Sequence, residues 1–391
     1  MLKLKKREEK RIESGHLWIY SNEIDTKTTP LKNFQAGQIV TVESSSGKFL
    51  GKGYINPHNL LCVRILTKNA TETIDVPFFQ KRILDALHLR ERYFKGNFYR
   101  LIYGESDGIP GLIVDRYDGI LVAQFTTFGI ENLKDTIIEA LVNALKPKAI
   151  LLKNDTSSRN FENLPLYVEA AFDNPPKIIQ LKEQDIVFDV PIWEGQKTGW
   201  FFDQKQNRSL LGKYVKDSRV LDVFSYIGAW GISAAVFGAR EVLCVDSSKS
   251  AIELATKNAE NNNVQNIVRT LNLDAFAALK QLNKNKEIFD TIIIDPPAFI
   301  KKQKDIKEGC NAYLRIHMLA LQLLKSHGIL FTTSCSQHFT KEMFLEILQK
   351  AATTCKRELL ILEQLHQSLD HPIHPSIPET EYLKGFVIMA K

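Results

Sequence analysis

Asp295 and Cys335 are a carboxylic acid and a thiol forty residues apart, each directly after a run of apolar and β-branched residues. Thr291-Ile292-Ile293-Ile294 leads into Asp295-Pro296-Pro297-Ala298-Phe299, and Gly328-Ile329-Leu330-Phe331-Thr332-Thr333 leads into Ser334-Cys335-Ser336. The pairing suits covalent chemistry on a planar base. C5 of a pyrimidine is a poor nucleophile, but a thiolate added at C6 makes the ring an enamine whose C5 can attack a sulfonium methyl group. Cys335 is the candidate nucleophile, its thiolate favoured by nearby positive charge. Asp295, protonated or hydrogen-bonded to the N3–N4 edge, would offset the negative charge placed on the ring. A base must then remove the C5 proton; His338 and a water are both open. The target has to be unstacked or single-stranded to reach such a pocket.

Apolar runs of this kind read as central strands of a parallel sheet. Ligands of such sheets bind outside the carboxyl ends of the strands, where this acid and this thiol fall. From about residue 189 strands alternate with helices: strand Val220–Phe224, helix Trp230–Phe237, strand Glu241–Asp246, helix Lys249–Asn262, then strands at 266–271, 289–294 and 329–333. That alternation implies a doubly wound parallel α/β sheet. Asp222-Val223-Phe224-Ser225-Tyr226-Ile227-Gly228-Ala229-Trp230-Gly231 is its first strand-to-helix loop. Without GxGxxG spacing it disfavours a pyrophosphate-cradling dinucleotide site, while Gly228 lets backbone approach a ligand at a helix N-terminus. Asp246, 24 residues after Asp222, is placed to accept from two ribose hydroxyls, and Asp274 from an adenine amino group. Acids at three successive strand ends suit S-adenosylmethionine, which has ribose hydroxyls and no phosphates, with Asp222 towards its amino-acid end.

Lone cysteines are most often small buried hydrophobes. Cys62, Cys244 and Cys355 lie in apolar or helical patterns and fit that role; Cys310 follows a basic loop and is left open. Flanking serines opposite Asp-Pro-Pro set Cys335 apart. Five scattered cysteines without a CxxC pair indicate neither a disulfide framework nor a metal site. No stretch nears the roughly 20 apolar residues that span a bilayer, and a cytoplasmic protein with reduced thiols is expected. The net charge of +6 is modest. Basic residues cluster at Lys3–Arg11 and at Lys301, Lys302, Lys304 and Lys307, as solvated surface or as a polyanion contact.

At 391 residues two or three domains are expected. Residues 1–70 read as a small β-rich module, with strands at Gln38–Glu43, Lys48–Ile55 and Leu60–Leu66 around a Ser-Ser-Ser-Gly turn. Residues 71–188 read as a mixed α/β scaffold. It has a helix over 78–94, a glycine-punctuated turn over 101–111, a hairpin about Asp118-Gly119, a helix over 130–145 and a strand over 149–153. Residues 189–391 carry the chemistry.

Several motifs in order along the chain resemble the large-subunit rRNA cytosine-C5 methyltransferase I family. They are Gly15-His16-Leu17-Trp18-Ile19-Tyr20-Ser21-Asn22-Glu23-Ile24, Gly195-Gln196-Lys197-Thr198-Gly199-Trp200-Phe201-Phe202-Asp203-Gln204-Lys205-Gln206-Asn207-Arg208, Leu221-Asp222-Val223-Phe224-Ser225-Tyr226, Asp295-Pro296-Pro297-Ala298-Phe299 and Ser334-Cys335-Ser336-Gln337-His338. The resemblance implies an N-terminal PUA RNA-binding domain, a central α/β domain and a C-terminal class I methyltransferase domain. It also implies S-adenosylmethionine as donor, a 23S rRNA cytosine as target and Cys335 as nucleophile, with Gln204, Asn207 and Arg208 against cofactor or target. Phe224 and Tyr226 are taken as cofactor-binding with Asp222, Gly228, Asp246 and Asp274. Where that family carries Thr-Gly-Gly-Phe, this chain has Ile227-Gly228-Ala229-Trp230, and cofactor geometry is expected to shift there. Naked RNA or an assembling large-subunit particle as substrate, and a homodimer, are left open. The rival readings are an exocyclic N-methyltransferase, which would favour an aromatic directly after Asp-Pro-Pro where Ala298 stands, and a non-catalytic ribosome-assembly factor.

Overall fold

The computed structural model describes residues 1–391, which form two compact units. The first comprises Met1–Ile179, Pro191–Phe202 and Leu369–Glu381; the second comprises Gln180–Val190, Asp203–Ser368 and Tyr382–Lys391.

The first unit holds two five-stranded sheets. Strands β1 (Leu2–Lys3), β2 (Trp18–Tyr20), β3 (Gln38–Glu43), β4 (Phe49–Ile55) and β5 (Leu61–Thr67) pair in the order β1-β3-β4-β5-β2, with a one-turn helix α1 (Glu9–Glu13). Alternation along β3 buries Val40 and Val42 with Leu2, Ile19, Val63 and Ile65. The Ser-Ser-Ser-Gly segment turns as expected, Gly47 adopting φ +87° and donating its N–H to the Ser44 carbonyl. The N-terminal basic cluster is partly absorbed by structure. Arg11 donates to both Glu23 carboxylate oxygens at 2.6 and 2.8 Å, and Lys5 donates to the Asn22 carbonyl.

The second sheet runs β10-β9-β8-β7-β6, with β6 (Phe98–Tyr103), β7 (Leu112–Tyr117), β8 (Ile120–Phe125), β9 (Ala149–Asn154) and β10 (Tyr167–Phe172). Helices α2 (Val76–Tyr93), α3 (Phe128–Asn132) and α4 (Lys134–Leu145) accompany it. The Asp118-Gly119 hairpin pairs Tyr117 with Ile120, and Asp118 takes φ +55°. Two expectations change. The glycine-punctuated turn begins only at Gly104, because Tyr99, Leu101 and Ile102 are fully buried in β6. The single helix over 130–145 is two helices broken at Leu133.

Charge is buried in this unit. Arg100 donates through Nε and Nη2 to Asp115 at 2.7 and 2.9 Å, and the Thr198 hydroxyl donates to the same carboxylate. Arg90 forks onto Asp107 and donates to the Asp370 carbonyl.

In the second unit, paired strands β11 (Ile178–Glu183) and β12 (Ile186–Pro191) and helix α5 (Lys205–Ser209) precede a seven-stranded sheet. Its strands are β13 (Arg219–Val223), β14 (Glu241–Asp246), β15 (Val268–Asn272), β16 (Phe289–Ile294), β17 (Leu324–Ser334), β18 (Leu359–His366) and β19 (Lys384–Ala390), in the order β15-β14-β13-β16-β17-β19-β18. Helices α6 (Ala229–Val236), α7 (Lys249–Asn261), α8 (Ala275–Lys284), α9 (Ile306–Leu323) and α10 (Lys341–Cys355) cover it. The five strands from β13 to β17 are parallel, joined by helical crossovers. The expected all-parallel sheet is corrected at one edge, where β19 runs antiparallel to both β17 and β18. The only helical element between β18 and β19 is a 3-10 turn at Pro378–Thr380, so no α-helical crossover joins them. Strand order reverses between β13 and β16, the place where a doubly wound sheet opens a crevice at its carboxyl ends. No helix is long and apolar enough to cross a membrane.

Replacing Asp115 with alanine would take the carboxylate away from the buried Arg100 guanidinium. We expect a loss of about 3–5 kcal/mol of stability, read as a lower urea midpoint for the transition of the first unit.

Candidate active site

Parallel pairing of β16 with β17 puts Ile294 beside Thr332, so the residues after each strand emerge together. Asp295, half-buried, accepts three hydrogen bonds. Its Oδ1 accepts from Gln204 Nε2 at 2.9 Å and from the Thr333 hydroxyl at 2.5 Å, and its Oδ2 accepts from Trp230 Nε1 at 3.0 Å. Gln204 is oriented in turn, since its Oε1 accepts from Asn207 Nδ2, which also donates to the His366 carbonyl. Gln204, Thr333 and Trp230 all act on this carboxylate as donors.

Cys335 is partly exposed immediately beyond β17. The residues beside it are anchored from below by α9. The Tyr313 hydroxyl lies 2.7 Å from Ser334 Oγ and 3.0 Å from Ser336 Oγ, its ring stacks on Phe339 at 4.4 Å, and burial pushes its phenol up to about 12. Ser336 Oγ also accepts from Ile300 N–H at 3.2 Å, which ties the Asp295 loop to the Cys335 loop. Lys384, paired with Ser334 across β17 and β19, donates to the carbonyls of Ser336 and Phe339, both at 2.7 Å. It brings positive charge to the Cys335 loop, from a position 48 residues beyond Ser336 that sequence reasoning did not pick out.

The other end of the crevice is built on β13 and β14. Asp222 is fully buried; its Oδ2 accepts the Gly231 N–H at 2.8 Å and its Oδ1 has no hydrogen-bond partner. Burial pushes this carboxyl up to about 8; the Gly231 N–H opposes the shift, and the charges of Asp295 and Asp246 add to it. Ser225 Oγ is a second buried polar atom without a partner in the same loop. The loop backbone is strained, with Phe224 at φ +65° and Tyr226 at φ +49°, both L-residues in the left-handed region. Gly231 has no room for a side chain: a Cβ there would lie 2.4 Å from Cys244 Sγ. Asp246 ends β14 and accepts from Tyr226 N–H at 2.9 Å and Ser248 N–H at 2.8 Å, each oxygen keeping further acceptor capacity.

Some sequence expectations find other partners. Asp274 is exposed and caps α8, its Oδ1 accepting from Ala277 N–H at 3.1 Å. Arg208 is buried and forks onto Glu183 through Nε and Nη2, both at 2.7 Å, so its guanidinium braces β11 where a cofactor contact was expected. Asn207 orients Gln204. Cys310 lies on α9 against the sheet core, its thiol pushed up by burial, and His338 is exposed beyond Cys335. Trp230, Thr333, Tyr313 and Lys384 were missed as functional residues. The motif containing Trp230 had flagged its position but not its role.

Comparison with known proteins matches this arrangement. A PUA-like domain family covers residues 2–68, and the family described as Conserved hypothetical protein 95 covers residues 204–362. The ribosomal RNA large subunit methyltransferase I of Shewanella frigidimarina is 37% identical over 99% of this chain and 98% of its own length. That of Cronobacter sakazakii is 35% identical over 98% of each. The chain belongs to the ribosomal RNA large subunit methyltransferase I family. The fold of this member is shared with the SMU.776 crystal structure, a complex with SAH, at TM-score 0.85, 22% identity and full coverage of both chains. It is shared too with a Streptococcus mutans protein described as a candidate SAM-dependent methyltransferase, at TM-score 0.83, 23% identity and 99% of each chain. The N-terminal domain is PUA-like and the C-terminal domain is a Rossmann-like methyltransferase fold.

The Asp222 carboxyl has a folded value of about 8 against an ordinary 3.8, so between those values the folded protein keeps a proton the unfolded chain has released. Stability therefore falls as pH rises through that window. Asp222→Asn removes the effect, and its stability advantage over the unsubstituted protein should widen by about 1.4 kcal/mol per pH unit between pH 5 and pH 8. Urea midpoints of both proteins at the two pH values measure it.

Proposed function

We propose that the chain is an S-adenosylmethionine-dependent methyltransferase of large-subunit ribosomal RNA, forming 5-methylcytidine in 23S rRNA through a Cys335 adduct at C6 of the base. One observation carries the reading: a partly exposed thiol at the end of β17 beside a carboxylate held by three donors at the end of the adjacent β16. The three-part division 1–70, 71–188 and 189–391 belongs to the same reading, with the first part binding RNA and the last carrying catalysis.

S-adenosylmethionine supplies an electrophilic methyl group, and the residues present fit it. The partnerless Asp222 Oδ1 and Ser225 Oγ are buried polar atoms suited to its amino-acid end. Asp246 suits the ribose hydroxyls and Asp274 the adenine amino group, with Phe224, Tyr226 and Gly228 lining the loop between. Gln204, with Asn207 and Arg208 behind it, stands on the target side. Cys335 Sγ bonds to C6 and pushes the ring electrons to C5; C5 takes the methyl group as the sulfonium bond breaks. A base removes the C5 proton, the C6–S bond breaks, and the ring regains its aromaticity. Asp295 accepts from the 4-amino group of the cytosine and fixes the orientation of the ring edge. The Lys384 ammonium, held on the carbonyls of Ser336 and Phe339, puts positive charge on the Cys335 loop. Phe299 packs against Tyr313 at 4.9 Å and Phe224 at 6.2 Å, which occupies the aromatic an N-methyltransferase would stack on its base.

Incubation with labelled S-adenosylmethionine and undermethylated large-subunit RNA, free or in particles, followed by nucleoside analysis, tests the proposal. Labelled 5-methylcytidine is expected, reduced by at least a thousandfold in Cys335→Ala. A labelled N-methylated base that survives Cys335→Ala would replace the reading with the exocyclic one, and an absence of label would favour a binding factor.

Lys301, Lys304 and Lys307 are exposed beyond Asp295. Changing Lys301 and Lys304 to alanine should weaken RNA binding uniformly across sequences. It should also reduce the slope of log K against log salt by about one for each phosphate that the protein no longer neutralises, as measured by titration at several salt concentrations.

A further inference from the structure

Two motifs that methyl transfer does not use meet at one cavity in the first unit. Trp18 comes from the Gly15–Ile24 stretch, on edge strand β2, and Gly104, Glu105 and Gly111 come from the glycine-punctuated turn. The cavity, of about 130 Å³, lies where β6 and β8 end and β7 begins, with Glu379 and Thr380 completing its lining. We propose that it is a recognition pocket for one unpaired guanine of the RNA, stacked on the aromatic wall and read by Glu105 and Glu379. This rests on the function proposed above and adds one base contact to its RNA-binding part.

The chemistry of the lining follows from which protons are already committed. Trp18 Nε1–H donates to Glu105 Oε1 at 2.9 Å, and the Tyr103 hydroxyl donates to the Thr380 carbonyl at 2.7 Å. The Thr126 hydroxyl donates to the Gly111 carbonyl and the Thr380 hydroxyl to the Ile377 carbonyl, both at 2.8 Å. Each of these side chains has a single proton to give. What the lining still offers is acceptors: Glu105 Oε2 and both oxygens of exposed Glu379 are in no protein hydrogen bond. No lysine or arginine lines the cavity, so a phosphate would meet two carboxylates and no cation.

An occupant must therefore bring donors. Its size is bounded too, since the cavity is well below the roughly 300 Å³ at which pockets take drug-sized ligands. That suits one flat ring system with its sugar and phosphate outside. Guanine presents N–H protons at N1 and at the adjoining 2-amino group, all along one edge. Adenine and cytosine each place a ring acceptor beside the amino group, and uracil flanks its N–H with carbonyls. Carboxylates favour the first edge and repel the others. Trp18, half-buried, and Tyr103 add aromatic surface of the kind on which unstacked bases pack. Cations for the RNA backbone stand close by. Arg11 donates to the Trp18 carbonyl at 3.1 Å, and Lys6, Arg7 and Lys10 of the same basic run are exposed.

Calorimetric titration of the full-length protein with short uridine-rich single-stranded RNAs tests this. The RNAs differ at one central base: guanine, adenine, cytosine or hypoxanthine, which lacks the 2-amino group. The guanine RNA should bind about tenfold more tightly than the adenine and cytosine RNAs, with hypoxanthine between them. Glu105→Gln keeps an oxygen for the Trp18 indole but replaces the free acceptor with a donor. It should bring guanine down to the level of adenine, leave adenine unchanged and keep the urea midpoint. Glu379→Gln, at an exposed position where folding is not at stake, should reduce the preference in the same direction. Equal affinity for the four RNAs overturns the proposal. So does a guanine preference that survives both substitutions together. N-acetylargininamide is the control: if it saturates the site and no base is preferred, the occupant is a cationic protein side chain and the proposal falls. None of these outcomes needs methyl transfer, whereas failure of the proposed function shows as no labelled 5-methylcytidine from the unsubstituted protein.

Discussion

Val223, Ile294 and Thr332 lie side by side across β13, β16 and β17, and that register is what the rest of the site depends on. Side chains alternate faces along a strand, so a slip of one residue would carry every side chain to the opposite face and break its packing. The register is held by fully buried Leu221, Val223, Ile292, Ile294 and Leu330, which share one core. With those residues locked, Asp222, Asp295, Thr333 and Cys335 arrive at one end of the sheet. At that end the loop after β13 carries two left-handed L-residues, Phe224 and Tyr226, which a firm sheet behind it can support.

Polar groups at this end are arranged unequally. Asp295 is surrounded by donors, whereas Asp222 is buried with one oxygen unserved and two other carboxylates in its field. A buried polar atom without a hydrogen-bond partner costs stability. Such a cost is characteristic of a surface shaped for a ligand rather than for the folded chain alone. The Tyr313 hydroxyl does the converse work: it satisfies two serines flanking Cys335 and, through Ser336, fixes the Cys335 loop to the loop of Asp295. Groups that act together on one ligand need a set separation.

One sequence motif serves two units. Thr198 and Trp200 of the Gly195–Arg208 stretch are buried in the first unit, Thr198 donating to Asp115. Gln204, Asn207 and Arg208 of the same stretch act in the second. A single run of residues with one appearance in sequence thus splits into a core contribution and a site contribution.

Local information in the sequence was sufficient for much of this. Apolar runs located β16 and β17 with Asp295 after the first of them, the Asp118-Gly119 turn located its hairpin, and strand–helix alternation put Asp222, Asp246 and Asp274 towards strand ends, because period and turn chemistry act over a few residues. The ordered motifs carried the family. The tertiary structure alone decided partners. Gln204 meets Asp295 across 91 residues and Trp230 meets it across 65, while Lys384 reaches the Cys335 loop through an antiparallel strand that periodicity could not orient. Arg208 and Asn207 look like ligand-binding residues in sequence, yet one is spent on Glu183 and the other on Gln204. Residue type determines which hydrogen bonds a side chain can make. Which of them it does make depends on what the closed sheet brings within about 3 Å, and no local pattern contains that distance.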